Sequence, residues 1–335
     1  MKILQMMALF LLLPLCANAK FSIITSKFAL AGDPLPRIQH MIDIKVSGDT
    51  LLFVYESNDG YGQRFLRRAL IDLNTNQLVI SPDMGKLEDG YYVSAMPYPF
   101  ITDNGAIKVI GQDDTEFYTV KDDTVLIRTK QYLLDGNSTM PFPLSRYVQD
   151  IFQTDSDRYV FIGREPMGGR QFALSSDLTS AKVDTIRQIS VSPKLQSWMP
   201  NMGEMAYSAK NKCIAFAYSL HPLIEIFDTE GNIIASERIG NNTFNPNTLT
   251  HADLNYLNAM HTVDITYTPD YIYALYWGFR HVEVAKSRPT VIQIDWNGNI
   301  TARYSNFDRY LYRISAVNNS TLIGWTGKEF VRIAL

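Results

Sequence analysis

Glu225-Ile226-Phe227-Asp228-Thr229-Glu230-Gly231-Asn232-Ile233-Ile234-Ala235 is closely paralleled by Ile292-Gln293-Ile294-Asp295-Trp296-Asn297-Gly298-Asn299-Ile300-Thr301-Ala302. Each stretch reads as a strand, an Asp-x-x-Gly-Asn turn and a second strand. The Asp side chain caps the turn and Gly takes the positive-φ position, which fixes a tight hairpin. Leu70-Ile71-Asp72-Leu73-Asn74-Thr75-Asn76-Gln77-Leu78-Val79 is a looser copy. Copies of one hairpin at distant places imply an internal repeat, with each hairpin as the outer strand pair of its unit.

Ahead of the hairpins an apolar strand preceded by a polar turn recurs six times, for example Asp49-Thr50-Leu51-Leu52-Phe53-Val54 and Asn211-Lys212-Cys213-Ile214-Ala215-Phe216. The markers Leu51, Ile107, Tyr159, Ile214, Ile272 and Leu322 stand 56, 52, 55, 58 and 50 residues apart. Gly, Asn, Asp and Pro clusters separate the short β-rich runs, and no long helical pattern interrupts them. Four strands per unit at this period predict an all-β chain, a six-bladed β-propeller. The sixth unit stops after three strands. The segment Phe21 to Phe28, with no repeat of its own, is expected to pair beside Phe330 to Leu335 and close the ring. Closure removes sheet edges that would invite aggregation.

The first residues read as a secretory signal peptide: Lys2, then an apolar stretch from Ile3 to Leu15, then Ala17-Asn18-Ala19 as a small-x-small cleavage pattern. The domain expectation is therefore a signal peptide over 1–19 and a single propeller over 20–335, exported to the periplasm or cell envelope. Cys16 offers the alternative of a lipid anchor, although Leu15 is large for the residue before a lipidated Cys. Without Lys2, 30 Lys and Arg stand against 34 Asp and Glu, with no long run of one sign. Nucleic-acid binding needs a concentrated basic patch and is disfavoured. No second apolar stretch is long enough for a transmembrane helix. Once Cys16 is removed, Cys213 has no partner for a disulfide and reads as a small buried hydrophobe in a strand.

The layout resembles the TolB-like six-bladed propeller family of exported, Bacteroidetes-type bacterial proteins. The fifth repeat carries the likeness best, Tyr271-Ile272-Tyr273-Ala274-Leu275-Tyr276-Trp277-Gly278 followed by the hairpin at Asp295. The resemblance spans nearly all of the mature chain, and its motifs specify blades rather than chemistry. Members of this kind often carry a lipidated Cys.

In a propeller the loops between second and third strands share a face with the links from blade to blade, and loops on a rigid scaffold usually carry function. Here that face is long-looped. Its links hold Tyr91, Tyr92, Arg146, Trp198 and His261, and its second-to-third loops hold Arg164, Arg280, His281 and Glu283. The ligand-binding candidates are Arg146, Trp198, His261, Arg164, Arg280 and Tyr91, a set suited to an anionic or polar partner. Arg146 and His261 fall just before an innermost strand, where side chains reach the channel mouth. The same aromatics could equally cover blade ends, and the same Arg could serve solubility. The histidines His40, His221, His251, His261 and His281 show no i,i+4 metal pair, and there is no Gly-x-Ser-x-Gly elbow. The leading expectation is a non-enzymatic binding module for a protein, peptide or glycan, with no catalytic residue assigned and no cofactor. The alternative is a lactonase-like hydrolase or lyase at the channel mouth, with a divalent cation in the channel.

Overall fold

A computed structural model of the chain describes residues 23–57, 64–83, 86–87, 97–101, 107–111, 116–121, 125–131, 149–155, 158–165, 169–177, 182–284 and 287–335. The Asp-Gly turns set the local geometry. Asp228 Oδ1 accepts hydrogen bonds from the Glu230 and Asn232 amides at 3.1 and 2.8 Å, and Gly231 sits at φ 88°. Asp295 repeats this with Asn297 and Asn299 at 2.9 and 2.8 Å, and Gly298 sits at φ 92°. A side chain at Gly231 would collide with the Ile186 carbonyl, and one at Gly298 with Ala235. Glycine is thus required twice over, by the turn and by the sheet it leans on.

Among the described residues the strands form six sheets. Sheet I holds β2 (Ala29–Gly32), β3 (Ile38–Ser47), β4 (Thr50–Ser57), β5 (Arg64–Asp72) and β6 (Gln77–Ile80). Sheet II holds β7 (Lys86–Leu87), β8 (Pro97–Ile101), β9 (Ile107–Gly111), β10 (Glu116–Lys121) and β11 (Val125–Gln131). Sheet III runs from β12 (Gln149–Asp155) through β13 (Arg158–Arg164) and β14 (Gln171–Asp177) to β15 (Lys182–Ile189). Sheet IV comprises β16 (Gly203–Ser208), β17 (Cys213–Tyr218), β18 (Leu223–Asp228) and β19 (Ile233–Arg238). Sheet V comprises β20 (Ala259–Tyr267), β21 (Tyr271–Arg280), β22 (Thr290–Asp295) and β23 (Ile300–Tyr304). Sheet VI joins β24 (Arg313–Asn318), β25 (Thr321–Trp325) and β26 (Phe330–Ala334) to β1 (Ile24–Lys27). A seven-residue helix, α1 (His251–Leu257), lies in the link before β20.

The first strands of the sheets pack on one another around a common axis: β8 on β12, β12 on β16, β16 on β20, β20 on β24 and β24 on β3. This is the propeller arrangement. Second strands are sandwiched between neighbouring sheets, so every residue of β17 is buried, whereas outer β19 alternates exposed and half-buried. Side-chain caps stitch the inner strands together. The Met205 amide donates to Asp150 Oδ2 at 2.8 Å, Ile314 to Asp264 Oδ2 at 2.5 Å, and Ala316 to Thr266 Oγ1 at 2.9 Å. These amides point sideways between sheets and would otherwise be orphaned.

The N-terminal segment does two jobs. Its first strand, β1, runs antiparallel to β26 with Ile24 opposite Ala334. The chain then crosses to sheet I, where β2 lies parallel to β6 with Ala29 opposite Gln77. Phe28, between the two strands, is buried in a cluster with Phe330, Trp325 and Ile80. The pairing expected for Phe21 to Phe28 beside Phe330 to Leu335 is that of β1 with β26, and β2 follows just beyond that segment, after Phe28 enters the seam between sheets.

Candidate functional site

A channel runs along the axis. Its middle is a cavity of about 180 Å³ whose walls include Asp43, Lys45, Asp150, Glu204 and Asp264. Further along the same inner strands, toward the long-loop face, lies a second space of about 560 Å³, the mouth. Met41, Met260 and Trp277 line the mouth together with Tyr256 of α1 and Tyr312, the residue before β24. Glu204 borders both spaces, and Arg313 lies beside it at the mouth.

The floor of the mouth is a charge network. Arg313 Nη1 donates to Glu204 Oε1 at 3.1 Å and to the Val263 carbonyl at 2.6 Å, and lies 3.9 Å from Asp264 Oδ1. Burial opposes its charge, but the Glu204 and Asp264 carboxylates outweigh burial and hold the guanidinium more firmly protonated than usual. Burial pushes the Asp264 carboxyl well up, and Glu204 pushes the same way through its charge and a hydrogen bond. Burial, reinforced by the charge of Glu204, lifts Asp150 to about 7, against the pull of Lys45 and the Met205 amide. Lys45 lies 3.1 Å from Asp43. Asp150 itself sits at φ 49° beside a register shift in β12. The strained backbone aims its carboxylate at the next sheet. Among the described residues, no group of three or more His, Cys, Asp and Glu side chains is arranged to hold a metal ion.

The rim is aromatic and mixed. Trp277 stacks on Phe279 at 5.4 Å and meets Tyr312 edge-on at 5.9 Å. Tyr256 meets His281 edge-on at 6.4 Å. At another edge His40 Nδ1 lies 3.1 Å from Glu56, whose other oxygen accepts from Arg64 Nε at 3.1 Å.

Of the six ligand-binding candidates, the four described ones, Trp198, His261, Arg164 and Arg280, line neither the cavity nor the mouth. Arg146 and Tyr91 lie outside the described residues. His261 does not reach the channel: β20 begins two residues before it, and register shifts around Thr262 turn its side chain away between sheets. It is 1% exposed, with Nδ1 3.3 Å from the Tyr276 hydroxyl and a buried, unpartnered Nε2. Burial pushes it down to about 4, with the nearby His221 adding to the effect. Two of the candidate arginines, Arg164 and Arg280, are held by partners within the chain itself. Arg280 Nη2 donates to Glu283 Oε1 at 2.8 Å. The Arg164 guanidinium lies 4.3 Å over the Trp198 ring and donates to Gln171 Oε1 at 3.0 Å. Trp198 and Arg164 thus brace the link between sheets III and IV.

The channel charges were missed in the sequence, though a signal was present. Asp43, Asp150, Glu204 and Asp264 stand 8, 9, 10 and 8 residues before the markers Leu51, Tyr159, Ile214 and Ile272. A carboxylate at that recurring offset falls on the inner strand of its unit.

No family model matches the sequence, and no curated protein sequence matches it. Among solved structures, a Bacteroides thetaiotaomicron protein of unknown function is similar with a TM-score of 0.55 and 12% identity, over 93% of this chain and 76% of that one. A member of the DUF4221 family from Bacteroides vulgatus gives 0.56 and 10%, over 94% and 96%. Virginiamycin B lyase from Staphylococcus aureus gives 0.50 and 13%, over 94% and 99%. At these identities the likeness is one of fold, the β-propeller.

Proposed function

We propose that the protein is an exported, TolB-like recognition module whose six sheets are the blades of one closed ring and whose aromatic-rimmed mouth binds a peptide or glycan segment of an envelope partner. The observation that carries the reading is the mouth itself. It is a concave space on the long-looped face, walled by Trp277, Tyr256 and Tyr312 over a fixed charge network. Concave sites with apolar walls and a few placed polar groups are the usual form of a ligand site. The floor supports binding rather than turnover, because Lys45 and Arg313 are held in ion pairs with Asp43 and Glu204. The exported reading rests on the leader-like residues 1–19, and the ring reading on the seam made by β1, Phe28 and β2.

The test is a screen of the purified protein against a peptide library and a glycan array. Binders of either class should be lost when Tyr256 and Trp277 are replaced by Ala and retained when exposed Arg280 is. An absence of binders in both classes would sink the reading. A hydrolase or lyase at the mouth is the second reading, favoured by one observation: the Glu204 and Asp264 carboxyls share a hydrogen bond, so one can hold a proton while the other stays charged. Turnover of any bound ligand, abolished in Glu204→Gln, would replace the first reading with this one.

A further inference from the structure

The mouth and the channel beneath it are unbalanced in charge. Among the described residues, the carboxylates of Asp43, Asp150, Glu204 and Asp264 face only two cations, Lys45 and Arg313. Lys45 pairs with Asp43, and Arg313 serves both Glu204, at 3.1 Å, and Asp264, at 3.9 Å. Among the described residues four acids against two cations leave a surplus of two carboxyls, and the two whose charged forms are least favoured are Asp150 and Asp264. Both hold their protons at higher pH than an ordinary carboxyl, first because of burial. A surplus of carboxyls over cationic side chains in a low-dielectric space favours a cation at its opening, which the acids meet by giving up protons.

The rim adds two features. Trp277, Tyr256 and Tyr312 surround the opening, and aromatic faces attract cations held over them. Beside it, Leu249, Tyr256, Leu257 and Val282 are 39%, 58%, 52% and 62% exposed. They lie on α1, its approach and the short turn 281–283 that packs on it. An exposed apolar group next to a polar cavity marks an interaction surface. A glycan would leave both the charge surplus and this apolar shoulder unmatched.

We infer that the mouth takes the basic side chain of a polypeptide partner. Its ammonium or guanidinium is directed at Glu204 and the channel acids below, and its apolar flanking residues rest on Leu249, Tyr256, Leu257 and Val282. The inference rests on the recognition reading and names the chemistry of its ligand. A cation at the mouth stabilises the charged forms of Asp150 and Asp264, so binding favours release of their protons to solvent. The groups facing those acids are Asp43, Lys45, Glu204 and Arg313 from neighbouring inner strands, with Tyr267 near Lys45.

The experiment is selection from a peptide library randomised at a central position and its flanks. It is followed by titration calorimetry of the best Arg-centred peptide and its citrulline counterpart, which keeps the shape and removes the charge. Arg or Lys should be enriched at the centre with apolar flanks, and citrulline should bind about tenfold more weakly. Glu204→Gln should weaken the Arg peptide and leave the citrulline peptide nearly unchanged. The wild-type affinity for the Arg peptide should fall between 50 and 500 mM NaCl (roughly one Debye regime to another), which tests the charge without a variant. Enrichment of acidic or uncharged centres, or equal affinity for Arg and citrulline, overturns the inference while leaving a recognition module standing. Glycan binding with no peptide binding does the same. No binder of either class removes the recognition reading itself.

Discussion

The channel carboxylates and the pair His221 and His261 are both buried and both titratable, and both involve β20, yet burial acts on them with opposite sign. In the channel, desolvation drives Asp150 up to about 7 and Asp264 up as well, while Lys45 and Arg313 are held protonated by the acids beside them. Between the sheets, desolvation drives His221 and His261 down to about 4 each, and both Nε2 atoms are buried without a partner. The difference lies in the neighbours. The channel offers each charge an opposite charge or an amide, so it stays polar. The histidine seam offers Tyr276, Tyr218 and Phe244, so its imidazoles stay neutral. One region is built to contain charge and the other to exclude it.

Four measurements break or sharpen this contrast. The largest effect is expected from Arg313→Met, which strips Glu204 and Asp264 of their shared cation. Leaving buried charge unpaired costs about 3–5 kcal/mol. A Tm lowered by roughly 10 °C is expected, and a change within error would show that the channel does not depend on pairing. The histidine seam comes next. Neutral in the fold at about 4 against an ordinary value of 6.5, each imidazole adds stability present above pH 6.5 and lost as pH falls toward 4. The expected loss is about 1–2 kcal/mol per histidine. Thermal melts of His261→Phe should fall less steeply over that window than those of the wild type. An identical slope would place the acid limb elsewhere.

Asp150 behaves in the reverse sense. A carboxyl raised from 3.8 to about 7 favours the fold most at low pH, and that advantage is lost as pH rises through 7. In Asp150→Asn the acceptor for the Met205 amide is kept, and Asn tolerates φ 49°. The variant should match the wild type near pH 4 and exceed it at pH 8 by about 1–2 kcal/mol. A gap that shrinks with rising pH would contradict the assignment. The smallest effect belongs to Arg280→Ala. Its pair with Glu283 is about half exposed, so the Tm should move by no more than about 1 kcal/mol equivalent at any pH.

Much of the architecture was legible from local chemistry. Asp228 and Asp295 name their hairpins because an Asp cap followed by a positive-φ Gly has few other uses, and the looser copy at Asp72 caps its turn in the same way, accepting from Asn74 at 2.8 Å. The six markers lie on β4, β9, β13, β17, β21 and β25, each the second strand of its sheet. The candidate site was less legible. Arg164, Arg280 and Trp198 stand out by residue type, and only the structure shows Gln171, Glu283 and each other as their partners. Glu204 and Asp264 look ordinary in sequence, since nothing local says that two strands sixty residues apart will share an axis.

Turn geometry, strand period and repeat spacing were therefore determined by the sequence alone, because they depend on φ/ψ preferences and on side chains a few residues apart. The tertiary structure alone decided which of those side chains face the axis. Inner strands from distant repeats meet there, a bulge at Thr262 turns His261 away, and desolvation makes otherwise unremarkable acids hold their protons. Burial and long-range pairing set those outcomes, and neither is a property of any one stretch of chain.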